Sequence, residues 1–398
     1  MVNKEAPIPI HKYSKCINNC IVYYGNLKSC NECPICKMTR NDYLPGTSWS
    51  FMSPLVLLSE RWKNYEIAKL LNSKSSHNYT NSIDDIWDSK LIKNLEKKFI
   101  NIDGKTLDSK HFNDSRESAL ALGTDGINLF KSQSKSCWPV FLIDYLLPPS
   151  IRTKRNFILN FGIIPGPLKS KQLFHSFLEP MVDSLKLLQI GNIVYDSYRK
   201  EFFRYRGHVT HIIGDTPAIS KLMGLKGTNS IYPCRCCYIK SQKGPKSVYY
   251  PTLHPPSNFR SHNIAYNSSN LPLRSHNEWL RILKKIEEDK TTSNDYGIKN
   301  RSPLINISSI IIPYSFCIDS MHLVLENVVS MTWNQLRGIG HEAFKDPNTV
   351  GNDILSTEQL KQIEKELKAS QYILNFCLKS LIYFRIIKVI FLPKFQGT

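Results

Sequence analysis

A chain of 398 residues, 41% of them hydrophobic, can bury a substantial core, which excludes a disordered tail and points to two or three domains. Fifty-two Lys plus Arg against 33 Asp plus Glu leave a formal charge of +19, an excess that favours a polyanionic partner through counterion release and makes nucleic acid the leading candidate. No uninterrupted apolar run reaches the ~20 residues of a membrane span, and no basic-then-apolar leader is present, so neither a membrane protein nor a secreted one is expected.

The first motif in chain order is CINNCIVYYGNLKSCNECPIC, in which Cys16 and Cys20 form one short-spaced pair and Cys33 and Cys36 another. Eleven cysteines in a chain expected in a reducing compartment point to zinc rather than disulfides. Four thiolates in two such pairs can close a tetrahedral zinc site, with Cys30 as a competing ligand and residues 21–32 as the connecting loop. The expected role of this element, residues 1–45, is structural, because metal binding replaces a core in a segment too small to fold alone. Over residues 46–117 the string SFMSPLVLLSERWKNYEIAKLL predicts one or two helices, and the polar NSKSSHNYTNS a loop.

From Ala119 the texture changes. ALALGTDGINLF, CWPVFLIDYLL and RNFILNFGII predict three strands, FLEPMVDSLKLLQIG a helix closing at Gly191, and FRYRGHVTHIIGD a fourth strand ending at Asp215. Strand, strand, strand, helix, strand is the order of an RNase H-like α/β fold, a mixed sheet flanked by helices. In that order Asp125 lies on the first strand and Asp215 at the end of the fourth, and because these strands are neighbours in the sheet the two carboxylates should converge. Paired carboxylates suit two-metal phosphodiester chemistry, in which Mg²⁺ or Mn²⁺ ions activate the nucleophile and the leaving oxygen. The alternative is that TDG and GDTPA are turns and nothing more.

A second cysteine motif, YPCRCCYIK, opens a Pro-, Ser-, Asn- and Lys-rich insertion over residues 227–316. Cys234 and Cys237 have zinc spacing, and His322 could supply a third ligand, with Cys317, Asp319 or a more distant His as the fourth. Lysines and tyrosines of the insertion could contact phosphate and stack on bases. Arg152, Lys154 and Arg155, with Arg204 and Arg206, are further candidate phosphate contacts.

From Leu122 to Ile239 the strings GTDGINLF, WPVFLIDYLLPP, KRNFIL followed by IPGP, FLEPMVDSL, GDTPA and PCRCCY occur in the order found in the transposases of En/Spm (CACTA) elements and their fungal relatives, which the chain resembles. The Cys33-to-Arg40 segment and IDSMHLVLENVV resemble further parts of that family, so the likeness spans residues 16–330. It implies a DDE-type DNA transposase with catalytic Mg²⁺ or Mn²⁺ and structural Zn²⁺, acting in the nucleus on element ends and target DNA, as a homo-oligomer because two ends must be held together. The family's first two acids fall on Asp125 and Asp215. The third falls on Glu326, one turn from His322 in a predicted helix; plant members carry the glutamate where Val324 stands, which leaves Asp319 as the alternative. The resemblance divides the core into residues 118–226 and 317–398 around the insertion, with a truncated C-terminal part. Two rival expectations are a decayed copy that binds DNA or protein without cutting, and a zinc-stabilised binding module of no enzymatic ancestry.

Overall fold

The computed structural model describes residues 9–73, 83–128, 136–166, 173–243, 248–249, 266–267, 269–319, 322, 327–337 and 355–369. The chain divides into two compact units, one of Met1–Gly214, Arg301–Cys317 and Phe391–Thr398, the other of Asp215–Asn300 and Ile318–Ile390.

The first unit opens with β1 (Ile10–Ser14) and β2 (Ser48–Met52), an antiparallel pair. Three short helices follow: α1 (Pro54–Arg61), α2 (Tyr65–Leu71) and α3 (Lys90–Leu95). Their starts are set by local chemistry. Pro54 begins α1, the Asn64 side chain accepts the Ile67 amide at α2, and Ser89 accepts the Ile92 amide at α3. The stretch read as helical also contains a hairpin of β3 (Phe99–Ile102) and β4 (Lys105–Lys110). Its β4 has no fully buried position, so it lacks the apolar alternation by which a strand is recognised.

Next come β5 (Ser118–Thr124), the short β6 (Ile127–Asn128), β7 (Ser136–Asp144), β8 (Leu159–Pro165) and α4 (Phe174–Ile190). They are followed by β9 (Asn192–Asp196), β10 (Glu201–Tyr205) and β11 (Gly207–Ile213). The sheet order is β1-β2-β8-β7-β5-β11, with β6 pairing β7; β11 runs parallel to β5 and every other pairing is antiparallel. All seven residues of β5 are buried, which is why the strand reads as a continuous apolar run. The three strands and helix expected from the sequence are present, so the described chain is a mixed α/β structure.

The fourth expected strand is two. Arg206 separates β10, which pairs with β9 as an independent hairpin, from β11, which enters the main sheet. The break falls where burial changes from every second residue (Phe203, Tyr205) to the nearly unbroken run Gly207–Thr210. A parallel strand buried on both sides cannot continue a half-exposed hairpin strand without a change of face. The returning segment 301–317 covers the far edge of β11. The Ile212 amide donates to the Ser315 carbonyl at 2.6 Å, the Cys317 amide to the Ile212 carbonyl at 3.0 Å, and the Ser309 hydroxyl to the Val209 carbonyl at 2.6 Å.

The second unit contains α5 (Thr216–Met223), the small β12 (Gln242–Lys243) and β13 (Val248–Tyr249) pair, α6 (His276–Glu288), α7 (Ser293–Tyr296), α8 (Ser330–Leu336) and α9 (Thr357–Ala369). Gly224 ends α5 with φ +76°, and a Cβ there would stand 2.1 Å from the Asn300 carbonyl oxygen. Trp279, Ile282, Leu283 and Ile286 form the buried stripe of α6. The most apolar run of the sequence, YILNFCLKSLIYFRIIKVIFL, interrupted by Lys379, Arg385 and Lys388, lies outside the described residues, among which no helix is long and apolar enough to cross a membrane.

Two histidines of the first unit, His111 fully buried and His211 half-buried, sit where burial disfavours the charged ring. Burial, together with the neighbouring His208, pushes His111 down from 6.5 to about 3, and burial pushes His211 down to about 4. The unfolded chain takes up these protons near 6.5, whereas the folded chain resists them, so this stability is complete above about pH 6.5 and lost as pH falls. The loss is about 1.4 kcal/mol per pH unit for each ring. Urea midpoints should therefore fall between about pH 7 and pH 5, and His111→Gln should flatten that slope. An unchanged slope would show that His111 takes its proton normally in the folded chain.

Candidate functional site

The cysteine pairs of the N-terminal element sit on two tight turns. Around the first, the Asn19 amide donates to the Cys16 carbonyl at 2.8 Å and Asn19 itself has φ 56°; around the second, the Lys37 amide donates to the Cys33 carbonyl at 2.8 Å and Lys37 has φ 63°. Isolated bridges Lys15↔Val22 and Glu32↔Thr39 close each turn into a miniature hairpin. The two hairpins face each other, and the sulfurs of Cys16, Cys20, Cys33 and Cys36 all lie within 4.8 Å of one another, with Cys16 and Cys36 3.4 Å apart. A tetrahedral zinc with bonds of about 2.3 Å spaces its sulfurs by about 3.8 Å, so the donor set fits that ion. Cys30 packs against the same small core but is not one of the four.

The thiols are unequal. Burial opposes ionisation of Cys36, but hydrogen bonds from the Met38 amide, Asn18 and the neighbouring thiols outweigh it and bring Cys36 down to about 6. Cys20 and Cys33 are raised, first by burial.

This element is fastened to the sheet unit. The Val22 amide donates to the Ser176 hydroxyl at 3.1 Å, the Leu173 amide to the Cys20 carbonyl at 3.0 Å, and the Tyr24 hydroxyl to Asp183 at 2.8 Å, so its anchors lie on and just before α4. Arg40 braces it internally, donating to the Lys28 carbonyl at 2.8 Å and lying 4.6 Å from the Tyr23 ring centre.

Asp125 and Asp215 are both half-buried, and the sheet register relates them. In the parallel β5–β11 pair, Gly123 is opposite Ile213, and each aspartate follows its paired residue by two positions, beyond the C-terminal end of its strand. Gly123 has a packing reason as well: a Cβ there would stand 2.3 Å from the Phe141 ring, which crosses the strand at that point. Asp215 is the N-cap of α5, its Oδ1 accepting the Ala218 amide at 2.7 Å. Glu326 lies outside the described residues.

In the second unit Cys234 and Cys237 sit beside one another with Cys236. Hydrogen bonds from the Cys236 and Cys237 side chains depress the Cys234 thiol, and the same bonds raise those two. Arg274, almost fully buried, donates to the carbonyls of Cys234 at 2.9 Å, Tyr296 at 3.1 Å and Tyr232 at 3.3 Å, and stacks 4.1 Å from the Tyr238 ring centre. Nothing in the sequence marks Arg274, because a cation serving main-chain carbonyls has no spacing rule. His322 Nδ1 donates to Asp319, which also accepts the His322 amide at 3.3 Å. Among the described residues only the four N-terminal cysteines gather as three or more close ligand atoms; Cys234, Cys237 and His322 are not brought together in that way.

Two of the five candidate phosphate contacts are committed elsewhere. Arg152 is buried, donates to Asp85 at 2.7 Å and to the Leu147 carbonyl at 3.0 Å, and Arg206 is held by Glu117 at 3.0 Å. A cation needed to neutralise a buried carboxylate is not available to a phosphate. Lys154, Arg155 and Arg204 are exposed.

With this geometry in place, the comparison with known proteins is informative: residues 96–249 match the family model described as Transposase family tnp2. The matched stretch contains β5 through β11, both aspartates and the Cys234 motif, and it supports a transposase family and hence a protein that binds DNA. No curated protein matches the chain.

Cys33→Ser should remove bound zinc, measured by elemental analysis of the purified chain, and lower the melting temperature, because the small core around Cys16, Ile21, Tyr23 and Cys33 has little else to hold it. A zinc content unchanged from that of the unaltered chain in both Cys33→Ser and Cys16→Ser proteins would remove this cluster as the site.

Proposed function

We propose that the chain is a DDE-type DNA transposase of the En/Spm (CACTA) kind, with an RNase H-like core that cleaves element ends and joins them to target DNA. The observation carrying this reading is the β5–β11 register, which gives Asp125 and Asp215 equivalent positions beyond two adjacent parallel strands within the family-matched stretch. The order β8-β7-β5-β11, antiparallel, antiparallel, then parallel, with α4 between β8 and β11, agrees with the same reading.

In this proposal Asp125 and Asp215 bind the divalent ions and Glu326 supplies the third carboxylate. Carboxylate oxygens are the hard donors that Mg²⁺ and Mn²⁺ prefer, and these two residues stand next to strand ends rather than within a sealed core. When bound, the ions supply the charge that activates a water or 3′-hydroxyl and stabilises the departing oxygen. Asp215 is held by its cap to α5, which fixes its carboxylate before DNA arrives. The hydrogen bond to His322 favours Asp319 as the residue that orients this histidine over Asp319 as the third acid. Nuclear location and a homo-oligomer holding two DNA ends belong to the same proposal.

Nicking of a supercoiled plasmid by the full chain with Mn²⁺ or Mg²⁺ tests it. Asp125→Asn and Asp215→Asn should each lower the rate by roughly 10³-fold, the several kcal/mol a metal-held transition state would lose, with zinc content and DNA affinity unchanged. Cleavage that persists in both variants overturns the assignment. DNA binding without metal-dependent cleavage by the unaltered chain would favour a zinc-stabilised DNA-binding module instead.

A further inference from the structure

The β9–β10 hairpin has no role in the chemistry described above, yet it presents an unusual surface. Its register places Tyr195 opposite Phe202 and Ile193 opposite Arg204, and these four side chains form the outward face. Phe202 is 73% exposed, a large cost to leave uncovered for a residue that merely fills space. The Tyr195 and Phe202 rings stand 5.2 Å apart, and Tyr198 at the turn lies 5.7 Å from Tyr65 of α2. Arg199, Lys200 and Arg204 lie on the same hairpin and are exposed, with Arg199 4.0 Å from the Asp196 carboxylate. Of the two acids on these strands, Asp196 is fully buried and the exposed Glu201 is held by Arg116 at 2.7 Å.

The platform is rigidly mounted. On the inward face Phe203 packs against Trp62 at 4.8 Å and under the Arg116 guanidinium at 3.8 Å. The turn is fixed by the fully buried Asp196, which accepts the Tyr198 and Arg199 amides at 3.0 and 3.1 Å and the Asn72 side chain at 3.1 Å. Aromatic rings held in advance with cations beside them are the elements of a base-stacking surface, since every base offers a π-face and every nucleotide a phosphate. The rings of a duplex are already stacked on one another, so exposed side chains of this kind reach base faces only where a strand is unpaired. A second copy of the chain is a poor occupant, because the face carries three cations within a molecule of formal charge +19.

We propose that the β9–β10 hairpin binds unpaired DNA, stacking bases on Phe202 and Tyr195 while Arg204, Lys200 and Arg199 meet the phosphates. This rests on the reading of the chain as a DNA-processing enzyme and adds a second contact surface to it. Fluorescence anisotropy of the full chain with a labelled single strand, and with the duplex of the same sequence, tests it at fixed salt. Phe202→Ala should weaken single-strand binding by roughly 5-fold or more. It should change duplex binding by less than about 2-fold and leave the melting temperature as it was; Phe202→Trp should bind like the unaltered chain. Equal losses for both forms of DNA, or none, overturn the proposal, as does light scattering that shows Phe202→Ala turning a dimer into a monomer. If the unaltered chain binds neither form, the transposase reading falls with it; if it binds and Phe202→Ala does not weaken it, only the hairpin assignment falls.

Discussion

The parallel pairing of β5 with β11 is the constraint on which the rest of the first unit depends. A parallel neighbour cannot be reached by a tight turn, so the chain between the two strands must leave the sheet and return: after β7 and β8 of the same sheet it does so through α4 and the β9–β10 hairpin. Burial follows from the same pairing. With all seven residues of β5 covered, polar atoms there need partners within the protein, and Ser118 finds the Tyr205 hydroxyl at 2.8 Å. The pairing also sets Gly123 opposite Ile213, two positions before Asp125 and Asp215 respectively.

The N-terminal cysteine element extends this architecture. Its flanking strands β1 and β2 prolong the sheet beyond β8, and its first hairpin hydrogen-bonds to Ser176 and Asp183 of α4. A free module would carry its own orientation; one tied at both strand and helix contributes a fixed edge. Zinc there would stabilise the junction between the element and the sheet, which accords with a structural role and leaves recognition of DNA to other surfaces.

What could be seen in the sequence follows from the kind of signal each feature leaves. Buried strands announce themselves as apolar runs, and β5, β7, β8 and α4 were readable in that way; short-spaced cysteines announce a ligand set, and Cys16, Cys20, Cys33 and Cys36 were readable without any fold. The break at Arg206 was not, because a run of β-forming residues gives no sign of which sheet each half joins. Nor were the fates of Arg152 and Arg206 readable. A cation that neutralises Asp85 or Glu117 across 67 or 89 positions of sequence looks the same, in sequence, as one meant for a phosphate. Arg274 left even less trace, since its partners are carbonyls.

The same distinction changes what the net charge means. A formal +19 is a property of the whole chain, but Arg61, Arg116, Arg152, Arg206 and Arg274 spend their charge on internal carboxylates, carbonyls or rings. Internal pairing removes positive and negative charges together, so it leaves the excess on the exposed cations and concentrates it there. Lys154, Arg155, Lys200 and Arg204 are cations of that exposed kind in the family-matched stretch, and the last two lie on the hairpin that carries the exposed Tyr195 and Phe202. The electrostatic argument for a polyanionic partner therefore gains a location when the buried cations are set aside, and the location is one where phosphate contact and base stacking can be made at once.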